Sequence, residues 1–521
     1  MKRIYYNGTI ITMEQPLYAD WLCCENGRIL EVGSGKSLDK NRTDAEYFDL
    51  HGQVLMPSFI DAHSHLTSYA NTFLQVSVEG LTSVDQIQDR IAAFIQQRKI
   101  PDGQWVTASQ YDHNLLPEQK HLSRVDLDEV STRHPIVMQH KSGHMGVFNS
   151  CALQRLGISE QTPSSSGGLI ERRDGRLTGY MEEADFVQNL RKIPMPDIQT
   201  MIDAYRQAQD VYFSYGITTI QDGMIVEPLI PVYRALLEQH IFRADVVGFP
   251  EHAAYAAYVS AFEKNIKKYH GCFKVGGMKI FLDGSPQGRT AWMRTPYVGQ
   301  PEYFGYPTMH DEDVLDSVTD AAKQHTQILA HCNGDRACQQ FIDAVRLAPQ
   351  KPERPVMIHA QFLGIDQLDE VKQWQIIPSF FVAHVYHWGD VHIQNFGLSR
   401  AADISPAAEA LQRGILFTFH QDAPVIEPDM LQTVWSAVCR QTKGGVLLGE
   451  KERIDVLSAL KAVTVHAAYQ YFEENEKGSI RPGKVEDLIV LDQDPLKVPA
   501  EKLKDIRVLK TIKRGQILYT R

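Results

Sequence analysis

Residues 54–65 read Val54-Leu-Met-Pro-Ser-Phe-Ile-Asp-Ala-His-Ser-His65, an apolar run that ends in two histidines one residue apart. Such a run, without strict alternation, suits a parallel strand buried on both faces. Seven more follow along the chain, at 216–222, 243–249, 275–283, 327–332, 355–360, 376–381 and 415–420. Helix-length segments come after most of them, among them 311–325, 335–347, 365–374 and 406–413. Eight strand-then-helix units predict an α/β fold built on a (β/α)8 TIM-type barrel.

The flanks of this body read differently. Within 1–53, short alternating stretches surround an Asn26-Gly27 hairpin signal, and 475–521 repeats the pattern with Arg514-Gly515 at a turn. The expected organisation is therefore a composite β-sandwich domain from 1–53 and 475–521, with the barrel over 54–474. The distance from the first run to the second is too long for one crossover. Residues 66–192, with strand-like TASQYD and PIVMQH, predict a subdomain inserted after the first barrel strand and lying over the barrel mouth. A second long stretch, 284–310, carries Trp292, Tyr297, Tyr303, Phe304 and Tyr306, which favours a packed lid over a free linker.

Composition narrows the function. A chain of 521 residues with 53 Lys+Arg against 64 Asp+Glu carries a net charge of −11, which disfavours a general binder of nucleic acid or anionic membranes. Tyr5, Tyr6, Asn7 and Gly8 interrupt the amino terminus where a signal peptide needs apolar residues, and no window reaches 18 consecutive apolar residues. The seven cysteines are scattered without a C-x-x-C pair, so a cytoplasmic setting is expected. The expected partner is a small molecule, and a homodimer is the commonest assembly a priori.

The chemistry gathers at the ends of the apolar runs. In extended backbone His63 and His65 point to the same side and can reach one ion. Among 20 histidines an H-x-H pair also arises by chance, so its place at a strand end carries more weight than the motif. His331 and His359 end the fifth and sixth runs in the same way, and Asp422 follows the eighth. Each has a plainer reading, a core histidine or a turn aspartate; together they suggest a metal centre on the catalytic face. Lys279 is a lone cation inside an apolar run. It must pair with a carboxylate such as Asp283, lose its proton, or be modified, for instance by CO2 to a carbamate.

In this order the set resembles the amidohydrolase superfamily, and within it the amidohydrolase-3 branch of YtcJ-like proteins and N-substituted formamide deformylases. The likeness runs through FIDAHSH, GHMGVFNS, GITTIQD, KIFLDGSPQGRTA, AHCNGDRA, HQDAPV and GSIRPGKVEDLIVLD. It implies one or two divalent metals, often zinc. By position it implies His63, His65, Lys279 (as a bridging carbamate), His331, His359 and Asp422 as ligands, with Asp422 also the catalytic acid–base. The reaction implied is hydrolysis by metal-activated water of a C–N amide or formamide bond in a small molecule. His144 and Arg289 match recurrent family positions and are candidates for substrate contact. His384 and Trp388, after the seventh run, are further candidates. Two departures stand out: Gln421 replaces the usual serine before Asp422, with His420 ahead of it, and Glu486 replaces the usual alanine near the carboxyl terminus.

Three other readings compete. Deaminases of this superfamily usually place a glutamate three residues after the fifth-strand histidine, where this chain has Gly334. An esterase or lactonase would use the same ligands. A non-catalytic scaffold would typically have lost one or more of the six, all of which are present.

Overall fold

The computed structural model describes residues 2–35, 44–117, 119–140, 145–165, 168–194 and 196–521. The chain forms two compact units, Met1–Ser68 with Tyr205–Arg521, and Tyr69–Ala204. In the first, eight parallel strands follow one another: β1 (Phe59–Ile60), β2 (Ile217–Ile225), β3 (Asp245–Pro250), β4 (Gly277–Phe281), β5 (Gln327–Cys332), β6 (Val356–His359), β7 (Ile377–Phe380) and β8 (Thr418–Phe419). Neighbours in sequence are neighbours in space. β1 pairs with β2 and β2 with β3, while β4 through β8 pair in succession. The two groups meet at the fourth strand, whose leading piece Phe273–Val275 pairs with β3 just before β4 turns to β5. Past the last strand, the Asp422 N–H donates to the His63 carbonyl at 3.2 Å and the His65 N–H to the Ala423 carbonyl at 2.9 Å. The arrangement is TIM-barrel-like. Every residue of β3, β5, β6 and β7 is buried, which is why these runs do not alternate.

The first run divides in two. Val54–Pro57 pairs with Leu488–Leu491 and Thr9–Ile11, so it belongs to a terminal sheet, and only Phe59–Ile60 joins the parallel set. Periodicity cannot reveal this split, because both halves are equally apolar and buried. Helices Asp311–Lys323 and Asp335–Leu347 form as expected. The segment 365–374 starts with a 3₁₀ turn, Ile365–Gln367, ahead of helix Leu368–Gln373. No helix among the described residues is long and apolar enough to cross a membrane.

Strands from both ends of the chain build two sheets. One contains Lys2–Tyr6, Trp21–Glu25, Arg28–Gly33 and Ala45–Asp49; the other has six strands, including Val54–Pro57, Leu488–Leu491, Val508–Lys513 and Gln516–Thr520. Asn26-Gly27 and Arg514-Gly515 both take positive φ at two successive residues, as a tight hairpin turn requires. Tyr5, Leu22, Ile29, Leu55, Leu488 and Ile512 share one apolar cluster, so amino- and carboxyl-terminal strands bury each other's faces. Glu486, one of the two departures, accepts from the Tyr5 hydroxyl at 2.7 Å and from Arg3 at 3.2 Å across this junction.

A buried ionic network ties the parallel strands to the carboxyl-terminal segment. Lys477 Nζ lies 2.5 Å from Asp245 Oδ2 and 2.9 Å from Glu473, Lys513 lies 2.7 Å from Asp245 Oδ1, and Lys274 pairs with Glu473. Burial alone would raise the Asp245 carboxyl, but Lys477, Lys513 and Arg514 outweigh it and hold Asp245 below its ordinary range.

The unit Tyr69–Ala204 carries a six-stranded sheet in the order Gly168–Arg173, Arg176–Glu182, Met145–Phe148, Ile136–His140, Val106–Tyr111, Val76–Ser77. Alternate residues serve two separate cores: Ile136, Met138, Val147 and Tyr180 face one cluster, while Val137, Phe148, Ile170 and Met181 face the other.

Candidate metal centre

Just beyond β1 the chain carries His63 and His65, whose rings lie edge to face with centroids 5.0 Å apart. Gln221, on β2, fixes the first ring. Its amide nitrogen donates to the Ala62 carbonyl and to the Tyr471 hydroxyl, each at 2.8 Å, so its Oε1 can only accept. That oxygen lies 2.5 Å from His63 Nδ1, which must carry the proton and leave Nε2 a bare lone pair. His65 Nδ1 faces the Gly223 carbonyl at 2.8 Å, so its Nε2 is bare for the same reason. Both Nε2 atoms lie 3.2 Å from Asp422 Oδ1, yet that buried oxygen accepts no hydrogen bond. Three electron-rich atoms therefore converge on one point, which suits a divalent cation and repels without a positive charge. Gly223 permits the approach, since a β-carbon there would sit 2.9 Å from His63 Cε1.

The positive charge nearby is Lys279, buried on β4 with Nζ 2.7 Å from His63 Nε2. Burial pulls its pKa down to about 8, so an appreciable fraction is a neutral amine near that pH. Asp283 does not pair with it. That carboxylate accepts backbone N–H groups from Trp292, Asn333 and Gly334 at 3.0, 2.9 and 2.7 Å, tying the 284–310 segment to the end of β5. His331 and His359, on adjacent strands, lie with ring centroids 4.5 Å apart, and His359 Nε2 is 3.9 Å from Asp422 Oδ2. His359 Nδ1 is bonded to His420 Nε2 at 3.0 Å, and His420 Nδ1 to Ser379 Oγ at 2.9 Å. His420, which precedes the departure at Gln421, thus orients a neighbouring imidazole. Gln421 turns away to Thr433 Oγ1 at 3.0 Å.

Burial, with Lys279 adding to it, lowers His63 to about 3, and burial drives His359 and His420 well below the ordinary histidine range. Neutral imidazoles are what a metal needs. Burial opposes ionisation of Asp422, but the surrounding histidines prevail and hold it well below the usual carboxylate range. His359 and Asp422 adopt left-handed backbone, φ 70° and 58°, at a cost of roughly 1–3 kcal/mol each. Strain of this kind persists where the surroundings impose a side-chain direction.

Among the softer candidates, His384 is buried at the start of helix His384–Phe396 and packs on Phe381 with centroids 4.4 Å apart; Phe381 in turn lies against His420 and His359. Trp388 lies tilted against His384, with centroids 4.5 Å apart. Arg289 is engaged by Asn395 Oδ1 at 2.8 Å. His144 lies outside the described residues. Gln221, the Gly223 carbonyl and Tyr471 were not singled out from sequence; the one available signal was a polar Gln-Asp pair ending the run 216–222.

Gly334 occupies the position where deaminases carry an acid. A β-carbon there would fall 2.0 Å from the Trp292 carbonyl oxygen, so no larger side chain fits without moving the 284–310 segment.

The model of the amidohydrolase family, in its amidohydrolase-3 form, matches residues 46–519. YtcJ of Bacillus subtilis (strain 168) is 28% identical, the alignment covering 100% of this chain and 99% of that one. An N-substituted formamide deformylase of Arthrobacter pascens is 26% identical over 95% of this chain and 94% of its own length. The crystal structure of an uncharacterized metal-dependent hydrolase from Pyrococcus furiosus superposes with a TM-score of 0.80 at 22% identity, covering 95% of this chain and 100% of that one. With the family match spanning nearly the whole sequence, this chain belongs to the amidohydrolase family of hydrolases.

Proposed function

We propose that this protein is a metal-dependent hydrolase that cleaves a C–N amide or formamide bond of a small molecule. The observation that carries the reading is the convergence of His63 Nε2, His65 Nε2 and Asp422 Oδ1 beside a buried lysine of lowered pKa. On this reading His63, His65, His331, His359 and Asp422 would hold one or two divalent ions, zinc by the chemistry of the donors, and Lys279, carboxylated by CO2, would serve as a further ligand in a two-ion centre. We further read the eight parallel strands, within 58–474, as a closed (β/α)8 barrel, and 1–57 with 475–521 as a β-sandwich domain.

When bound, a divalent ion polarises the scissile carbonyl and lowers the pKa of water toward neutrality. The chain supplies the rest. Gln221 and the Gly223 carbonyl keep the two Nε2 lone pairs aimed inward. Asp422 accepts the proton of the attacking water as the C–O bond forms, then returns it to the nitrogen as the C–N bond breaks, so an amine leaves. His384 and Trp388 offer an aromatic contact to the substituent on that amine, and Arg289 and His144 are further candidates for holding substrate. Two findings favour amides over heterocyclic amines: the likeness to a formamide deformylase, and the lack of room at Gly334 for the acid a deaminase uses.

The test is amine release from a panel of N-formyl and N-acyl amines, run beside esters, lactones and aminoheterocycles. Turnover concentrated on the amides is expected. Turnover confined to esters, lactones or aminoheterocycles would overturn the assignment.

A further inference from the structure

The unit Tyr69–Ala204 holds a second convergence of ligand atoms, at the ends of two neighbouring strands. Val106–Tyr111 and Ile136–His140 run parallel with Tyr111 opposite His140, and the register shifts between Ala108 and Tyr111. Gln110, inside that irregularity, takes φ 70°, and the strand then gives way to Asp112 and a 3₁₀ turn, His113–Leu115. The bulge re-aims the strand end. Asp112 Oδ1 comes to lie 3.8 Å from His140 Nε2 and 4.0 Å from His113 Nδ1, while the two nitrogens are 3.2 Å apart. Ligands around a tetrahedral zinc ion at ordinary bond lengths stand about 3.3 Å from one another. The observed separations bracket that value, so small side-chain rotations bring all three atoms onto one ion.

We propose that Asp112, His113 and His140 form a second metal site, independent of the His63–His65 centre, that takes a first-row divalent cation such as zinc. Two imidazoles and one carboxylate are a borderline donor set, suited to zinc or iron and poorly suited to calcium or magnesium. Aromatic rings pack around the three residues. His121 stacks on His113 with centroids 4.1 Å apart, and its Nδ1 is bonded to the Tyr111 hydroxyl at 2.6 Å. Tyr180 lies against His121 with centroids 4.3 Å apart and donates to Glu182 at 2.6 Å. Asp112 and His140 are nearly buried, whereas the His113 side chain is 24% exposed, which leaves an ion a way in. The bound cation joins the end of one strand to the turn after its neighbour, so its expected effect is to stabilise this unit.

The experiment uses the full chain. Crystals grown with zinc are measured on both sides of the zinc absorption edge, and an anomalous peak within bonding distance of Asp112 Oδ1, His113 Nδ1 and His140 Nε2 is expected. In solution, zinc retained after gel filtration is counted for wild type, for Asp112→Asn/His140→Gln, and for His63→Asn/His65→Asn. The first variant should lose one equivalent, and the second should still carry that equivalent. No density at the three atoms in zinc-grown crystals, or an unchanged zinc count in the first variant, would overturn the proposal. In that case the 3.2 Å contact is only a hydrogen bond between two imidazoles. The wild-type crystal decides the matter even if a variant does not fold.

Discussion

Replacing Gln221 by methionine isolates the control of His63. The neighbours that Gln221 serves keep other partners: the Ala62 carbonyl still accepts from Gln470 Nε2 at 2.8 Å, and the Tyr471 hydroxyl still donates to the Asp61 carbonyl at 2.8 Å. Only His63 Nδ1–H is left without its acceptor. One buried donor without a partner costs about 1–3 kcal/mol. The ring can relieve this by moving its proton to Nε2, but that consumes the lone pair aimed at Asp422 and Lys279. Loss of such an orienting bond weakens metal binding roughly 10–100-fold, which is about 1.4–2.7 kcal/mol. Zinc affinity is read by competition against a chromophoric chelator, with melting temperature followed separately in excess chelator. The account expects weaker zinc binding, with activity restored at high zinc. A variant that melts lower but binds zinc as tightly as wild type would refute it, because Gln221 would then be a packing residue only.

Asp422→Asn keeps the shape of the side chain and removes the proton acceptor, so turnover should fall by at least about 100-fold while the melting temperature changes little; near-normal turnover removes Asp422 from the role. Lys477→Met leaves Asp245 and Glu473 short of a cation and should cost about 3–5 kcal/mol in urea unfolding. Because the folded Asp245 carboxyl lies below its unfolded value of about 4, its stabilisation is present above that pH and is lost as pH falls through the folded value. Lys477→Met raises the folded value, so its urea midpoint should begin to fall at a higher pH than in wild type; parallel pH curves would contradict this. If Lys279 is carboxylated, carbon-13-labelled bicarbonate should give a carbamate carbon signal that is absent from Lys279→Ala.

Much of the parallel-strand body and the placing of histidines at the strand ends could be read from residues alone, because both depend on local pattern. An apolar run closed by His331 or His359 announces a buried strand with an imidazole at its end, whatever lies around it. The hairpins at Asn26-Gly27 and Arg514-Gly515 were equally plain, since the need for positive φ is written in the residue types. The rest depended on register between distant strands. Nothing near Gln221 indicates that its side chain will meet His63, 158 residues earlier. The pairing of Asp283 with the backbone of Asn333 and Gly334, instead of with Lys279, is settled by how the 284–310 segment folds back. The division of 54–61 between two sheets was hidden by uniform hydrophobicity. The inserted segment, read as 66–192, forms a compact unit over Tyr69–Ala204, because helix Ile198–Ser214 begins before the unit ends. Its Asp112–His113–His140 grouping arises from a bulge that no composition rule marks.

The most direct test of the account is a zinc titration of chelated full-length protein against turnover of the best N-formyl amine, run in parallel with His65→Asn. The account predicts that activity disappears on chelation, returns with zinc to a plateau, and stays flat in the variant. Activity that survives chelation, or a variant that titrates like wild type, would contradict the claim that the His63, His65 and Asp422 constellation holds the metal on which hydrolysis depends.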